Sequence, residues 1–220
     1  MALTKSEIAN IKERYPDFKL ISIGDNGQEL VGNLYLNVSY NDFTMNEQFR
    51  IKIAISKEYP IVIPKVYELS GKIAETYHHI YGDRELCLGI DSEIMLNCKG
   101  KLTIEYLIID YIIPYLFSYK YYERFGVFPY GERSHGAQGI KEFFTEIFNV
   151  HDLADVKFYI EQLIRKPYRG HLPCVCGSGL KSRNCHSLNE ELLSIINSRA
   201  MQQNLALDLL RIYQEEKINE

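Results

Sequence analysis

In two stretches between residues 30 and 55, apolar residues recur at alternate positions. In ELVGNLYLNVSY they are Leu30, Leu34, Leu36, Val38 and Tyr40; in FRIKIAIS they are Phe49, Ile51, Ile53 and Ile55. Successive strand residues point to opposite faces of a sheet, so this spacing predicts antiparallel strands with one packed face. The turn-forming DNG precedes the first strand and YNDF separates the two, while KVYEL is short enough for a further, fourth strand. Ahead of the strands, Thr4 and Glu7 form a capping-box pattern, and Ile8, Ile11 and Tyr15 follow at helical spacing. A helix is expected from about residue 5 to Tyr15, stopped by Pro16.

Beyond residue 100 the period becomes helical. Residues 103 to 122 read as helix, with Thr103 as cap and Pro114 as a kink or boundary. This is the most apolar stretch of the chain, but Glu105, Asp110, Pro114 and Lys120 point to a buried helix pair and away from a membrane span. Ile140, Phe143, Phe144, Ile147 and Phe148 share one helical face. Asp152 caps a further helix carrying Val156, Ile160, Leu163 and Ile164, which Pro167 and Gly170 end. Ser187 and Glu190 form a second capping box, predicting one long helix to about Gln214. Residues 129–139, polar and glycine-rich and containing His135, read as a long interhelix loop or as a segment folding over Cys87.

Composition narrows the classes. At 220 residues, 46% hydrophobic and 25% charged, the chain is an ordinary globular protein of one core with an appendage, or of two modest domains. A net charge of -4 disfavours a general nucleic-acid binder but leaves room for a local basic face. The N-terminal stretch lacks the apolar core of a secretory signal. Five cysteines, three of them crowded between Cys174 and Cys185, suit metal binding and a reducing cytoplasm better than disulfides.

That cluster has Cys174, Cys176, Cys185 and His186 in the pattern C-x-C-x8-C-H. Three thiolates and an imidazole complete a closed tetrahedral zinc site, which stabilises structure and leaves no position open for chemistry. Gly177 and Gly179 allow the tight turn between the ligand pairs. With its CGSG turn and Lys181, the stretch resembles the SEC-C motif, the zinc-binding tail of the SecA translocation motor and of many bacterial proteins. From Lys157 to Arg183 six basic residues face the single acid Glu161, giving a solvated face or a docking surface for an acidic partner or RNA.

Cys87 lies between Leu86 and Leu88 at the end of a polar loop that contains His78 and His79. By composition it is a small buried hydrophobe or a nucleophile. Its context separates the two. Tyr59-Pro60 leads to Pro64-Lys65-Val66, then HHIYGDRELCLG, then Leu102-Thr103-Ile104 opening a helix. In this order the pieces resemble the ubiquitin-conjugating enzyme family over roughly residues 5 to 125. The resemblance implies an α+β fold with an antiparallel four-stranded meander and flanking helices, Cys87 as the thioester-forming nucleophile, and leucines that anchor the loop while the sulfur faces outward. Counting back eight residues from Cys87 puts His79 where the family carries its loop asparagine and His78 where it carries a proline. The chain has no tryptophan, and the interval from Cys87 to Thr103 is longer than the family's. These departures are similar to a divergent bacterial branch, the compact conjugating proteins of CBASS antiphage operons, whose partner is a cGAS-like nucleotidyltransferase.

The implied chemistry is transfer of a protein C-terminus from a thioester on Cys87 to a lysine amine, with His79 donating a hydrogen bond to the carbonyl oxygen, taking the amine proton, or only packing the loop. Asp83, Glu85 and Asp91 orient the incoming ammonium or are solvated loop acids. Cys98 has no such context. The expected division is a conjugating-enzyme-like domain over 1–150 and a helical region with the zinc knuckle over 151–220. Two other readings stand beside the transferase: a non-catalytic scaffold of the same fold that binds a partner protein, and a zinc-knuckle adaptor for a protein or RNA.

Overall fold

A computed structural model describes residues 3–24, 27–165, 168–174, 178–185 and 190–219. The chain divides into two compact units, one of Met1–Leu88 with Leu102–Glu132 and one of Gly89–Lys101 with Arg133–Glu220. Secondary structure is mixed α+β, with one four-stranded antiparallel sheet.

In the first unit, helix α1 (Lys5–Arg14) begins at the expected capping box: the Thr4 side chain accepts from the Glu7 amide, and the Glu7 carboxylate accepts from the Thr4 amide. Strands β1 (Lys19–Ser22), β2 (Gln28–Tyr40), β3 (Phe43–Ile55) and β4 (Lys65–Glu68) pair in the order β1-β2-β3-β4, a simple meander. The period-two pattern is realised in the register: Leu30 faces Ile53, Leu34 faces Phe49, and Val38 faces Met45. Tyr40 pairs with Phe43 across a two-residue turn in which Asn41 and Asp42 both take positive φ, the twist a tight hairpin needs. Gly32 is required where it stands, because a Cβ there would sit 2.6 Å from the Phe18 Cα as the chain enters β1.

Behind the sheet, α3 (Ile104–Leu107) opens with the Thr103 side chain accepting from the Tyr106 amide. A π turn (Ile108–Ile112) follows, and α4 (Ile113–Phe125) continues from it. The expected break at Pro114 is therefore a local widening of one continuous run. Pro114 sits in the first turn of α4, where a missing N–H is tolerated. Ile104, Leu107, Ile108, Ile112, Leu116 and Phe117 are buried, and Phe117 meets Phe43 of β3 tilted and Tyr121 meets it edge-on, both at 5.7 Å.

The second unit is helical: α2 (Asp91–Asn97), α5 (Gly136–Phe148), α6 (Leu153–Arg165), α7 (Ser182–Cys185), α8 (Glu190–Ile196) and α9 (Arg199–Asn219). α9 packs on α2, α5 and α6, and Phe144, Phe148 and Tyr159 form the aromatic centre between α5 and α6. Two expectations change here. The segment 129–139 is loop only as far as His135, since α5 begins at Gly136. The single long helix is two, because Ser198 closes α8 through its amide and opens α9 by accepting from the Met201 amide; Ser187 lies outside the described residues. The interval between Cys87 and Thr103 contains α2. Among the described residues, no helix is long and apolar enough to cross a membrane.

Candidate active site

The loop that follows β4 folds back on the sheet. The Leu86 amide donates to the Val66 carbonyl at 2.7 Å, and Tyr67 and Glu85 form an isolated antiparallel bridge. Farther out, Ile80 pairs with Leu86, and the Tyr81 and Arg84 backbones close the turn through bonds of 2.9 and 2.8 Å. His79 and Cys87 are the next pair of this small hairpin, since the Cys87 amide donates to the His79 carbonyl at 2.9 Å. Two residues linked in the sequence only by a spacing of eight thus stand directly across from each other.

Leu86 is buried and anchors the loop; Leu88 and Cys87 are half-buried. The Tyr81 hydroxyl donates to the Cys87 sulfur at 3.5 Å. Arg84, at positive φ, turns its guanidinium inward and donates to the Glu68 carboxylate at 2.9 Å, the Glu68 carbonyl at 3.2 Å and the Ile73 carbonyl at 3.1 Å. Burial pushes the Glu68 carboxyl up, but the Ser70 hydroxyl and amide together with Arg84 outweigh it and hold the group below its ordinary value. The loop acids are used locally: Glu85 pairs with Lys65 at 2.6 Å and Asp83 accepts from the Glu85 amide. In the second unit, Asp91 pairs with Arg211 at 3.0 Å.

Aromatic rings hold the two histidines. Tyr77 is buried, with its ring centroid 5.3 Å from those of both His78 and His79, and Phe128 lies 5.4 Å from His79. From α4, the Tyr115 hydroxyl donates to the His79 carbonyl at 2.6 Å. The Nε2 atoms of His78 and His79 both meet Glu132 Oε1, at 2.7 and 3.2 Å. A carboxylate only accepts, so each imidazole carries its proton on Nε2 and keeps its lone pair on Nδ1 when neutral.

Tyr81, Tyr115, Glu132 and the Arg84–Glu68 pair were not singled out in the sequence. Tyr115 and Glu132 reach His79 from 36 and 53 residues away, with no short motif to signal it. Cys98 is buried in the second unit with its sulfur against the Met95 carbonyl at 3.3 Å, and burial pushes its thiol up. This is the environment of a packed, unreactive cysteine.

Of the expected zinc ligands, Cys174 and Cys185 are described, while Cys176 and His186 lie outside the described residues. Pro173 and Lys181 form an isolated antiparallel bridge, and the Cys174 amide donates to the Leu180 carbonyl at 2.7 Å, so residues 173–174 and 180–181 lie side by side. Cys185 ends α7 with its sulfur 3.1 Å from the Ser178 hydroxyl; neither cysteine is in a disulfide.

No protein-family model, no curated protein and no solved structure matches this chain.

Proposed function

We propose that the protein is an acyl transferase of the ubiquitin-conjugating type, carrying a protein C-terminus as a thioester on Cys87 and passing it to an amine. The observation that carries this reading is the Cys87–His79 backbone bond, which pairs a half-buried thiol with an imidazole at the open end of one hairpin. The helix, meander and cysteine-loop order of the first unit supports it as well.

In the first step the Cys87 thiolate attacks the carbonyl carbon of an activated acyl donor; the S–C bond forms and the donor's leaving group departs with its electron pair. In the second, a lysine amine attacks the same carbon, the C–N bond forms, and the S–C bond breaks to return the thiolate. With its Nε2 proton held on Glu132, His79 takes the amine proton on Nδ1. Glu132 keeps that imidazole in one tautomer. The donor in this reading is a protein with a reactive C-terminus, such as the cGAS-like nucleotidyltransferase that the sequence resemblance points to, and the acceptor is a protein lysine.

The knuckle of Cys174, Cys176, Cys185 and His186 would hold a structural zinc ion. The pairing of Cys174 with Leu180, the absence of a disulfide at Cys174 and Cys185 and the Ser178 hydroxyl beside the Cys185 sulfur fit a thiolate site. Zinc there would supply folding free energy to the surrounding backbone and take no part in transfer.

The test is intact-mass analysis of Cys87→Ser purified from cells that also express its neighbouring genes. A mass increment matching a second protein minus water, removed by mild base, is the trapped oxyester. Wild-type conjugate levels from Cys87→Ala would remove the transferase reading.

A further inference from the structure

Three side chains in the first unit converge more closely than the transfer reading needs. His78 and His79 are consecutive, yet both rings turn to the same side, 4.6 Å apart and inclined by 44°. One ring nitrogen of each and a carboxylate oxygen of Glu132 all lie within 4.8 Å of one another. We propose that His78, His79 and Glu132 bind a divalent transition-metal ion of the zinc class, at a site distinct from the cysteine knuckle.

The donor set is the first argument. Two imidazole nitrogens and one carboxylate oxygen are the ligands of open zinc sites, where a fourth position is left to water or an incoming group. Distance is the second. Atoms bonded to one tetrahedral zinc ion at about 2.0–2.1 Å are about 3.3 Å apart. Glu132 Oε1 stands 2.7 and 3.2 Å from the two nitrogens, so only a small outward movement separates the triad from that geometry. In the metal-free arrangement two N–H groups point at one oxygen; an ion takes the place of both protons and satisfies the same three atoms.

Preorganisation is the third argument. The His79 carbonyl is fixed by the Cys87 amide and the Tyr115 hydroxyl, so the backbone beneath the ligand does not have to be ordered when the ion binds. Tyr77, Tyr122 and Phe128 pack around His78 within about ring-contact range, with centroid separations of 5.3, 5.9 and 5.7 Å, and hold its plane. Access is open as well, since the His78 and Glu132 side chains are 43% and 41% exposed while His79 is 16% exposed. An ion can reach the triad from solvent and find one ligand already anchored.

The binding claim does not depend on the thioester reading. If both hold, an ion on His79 Nε2 draws electron density from the ring and weakens Nδ1 as a proton acceptor, so metal slows discharge from Cys87.

The experiment uses the full chain, stripped of metal and titrated with Co²⁺ as the probe. Cobalt held by the knuckle thiolates gives a sulfur-to-metal charge-transfer band in the near ultraviolet; cobalt on nitrogen and oxygen gives visible ligand-field bands without it. The expected result is a bound equivalent that raises the ligand-field absorption alone, is displaced by Zn²⁺, and is weakened at least about tenfold in both His78→Ala and Glu132→Gln. Both substitutions are at exposed side chains, and circular dichroism of the metal-free variants checks that the fold is kept. A wild-type protein whose bound cobalt is accounted for by the charge-transfer species overturns the site. So do folded variants that bind the non-thiolate equivalent as tightly as wild type.

Discussion

The Tyr115 hydroxyl donates to the His79 carbonyl at 2.6 Å, and the Cys87 amide donates to that same carbonyl at 2.9 Å. One oxygen therefore ties α4 to the hairpin that presents the thiol. Burial, then the charges of Tyr77 and Cys87, push the Tyr115 phenol far up, so it remains a donor at any working pH. Tyr115→Phe keeps the ring and removes the tether. It should cost about 1 kcal/mol, the net worth of one hydrogen bond, and speed amide exchange in residues 77–88. Hydrogen exchange with mass detection reads this directly; unchanged protection would mean the Cys87 amide alone holds the loop.

His79→Ala should leave loading of Cys87 intact and slow discharge to lysine by at least about 10²-fold, the usual contribution of a positioned general base. The measurement is single-turnover discharge of pre-loaded protein, with circular dichroism to verify the fold. His79→Asn separates the two chemical roles. It restores hydrogen-bond donation but not proton acceptance, so it should discharge no faster than His79→Ala.

Protein purified without chelator should keep one zinc ion per chain through dialysis against metal-free buffer. The knuckle should hold its ion through all four ligands, whereas the half-exposed three-ligand site should lose its ion to the buffer. Cys174→Ser or Cys185→Ser should lose that zinc and become susceptible to proteolysis between α6 and α8, because metal and local folding are coupled. Elemental analysis that finds no retained zinc in the wild type would exclude the knuckle.

Asp208, fully buried on α9, accepts from the Ser92 amide at 3.1 Å and lies 3.8 Å from Arg211, which also pairs with Asp91. Burial, then the Asp91 charge, pushes its carboxyl up to about 7, against the opposing pull of Ser92 and Arg211. The folded chain thus keeps a proton that the unfolded chain releases near its ordinary value of about 3.9. The unfolded state binds fewer protons in that window, so stability falls as pH rises from about 4 to about 7 and levels off above it. Asp208→Asn mimics the protonated acid. It should flatten this slope and melt higher than wild type at pH 8, with little difference at pH 4. Parallel melting curves for the two proteins across that range would show that Asp208 is charged in the fold.

The long elements were legible because burial imposes their period. Phe49, Ile51 and Ile53 are completely buried at alternate positions of β3, and Ile140, Phe143, Phe144 and Phe148 are buried on one side of α5. β1 escaped notice because its four residues are mostly exposed and so carry no alternation. α2 has seven residues and no side-chain cap at its start. The division of α8 from α9 was hidden because the break at Asn197 and Ser198 carries neither proline nor glycine to mark it. Within the candidate site, Cys87 and His79 could be picked out, since they share one short stretch. Glu132 and Tyr115 could not, because only the folded chain brings their side chains to the histidines.

The π turn at Ile108–Ile112 acts as a phase correction. An α-helix advances about 100° per residue, so positions four apart drift by about 40° each time. Ile104, Ile108, Ile112 and Leu116 are four apart and all buried, an alignment that an unbroken α-helix would twist away by about 120°. The wider turn winds back part of that angle. Downstream, α4 then has Phe117 and Tyr121 toward Phe43 while Tyr115 reaches His79 and Tyr119 meets Tyr77. Loss of a single residue from that turn would rotate every later side chain of α4 by about a quarter revolution. The aromatic seam on the sheet and the tether on the cysteine loop would be mis-set together, so the loop's geometry is governed by a residue count in a helix that does not itself contain the thiol.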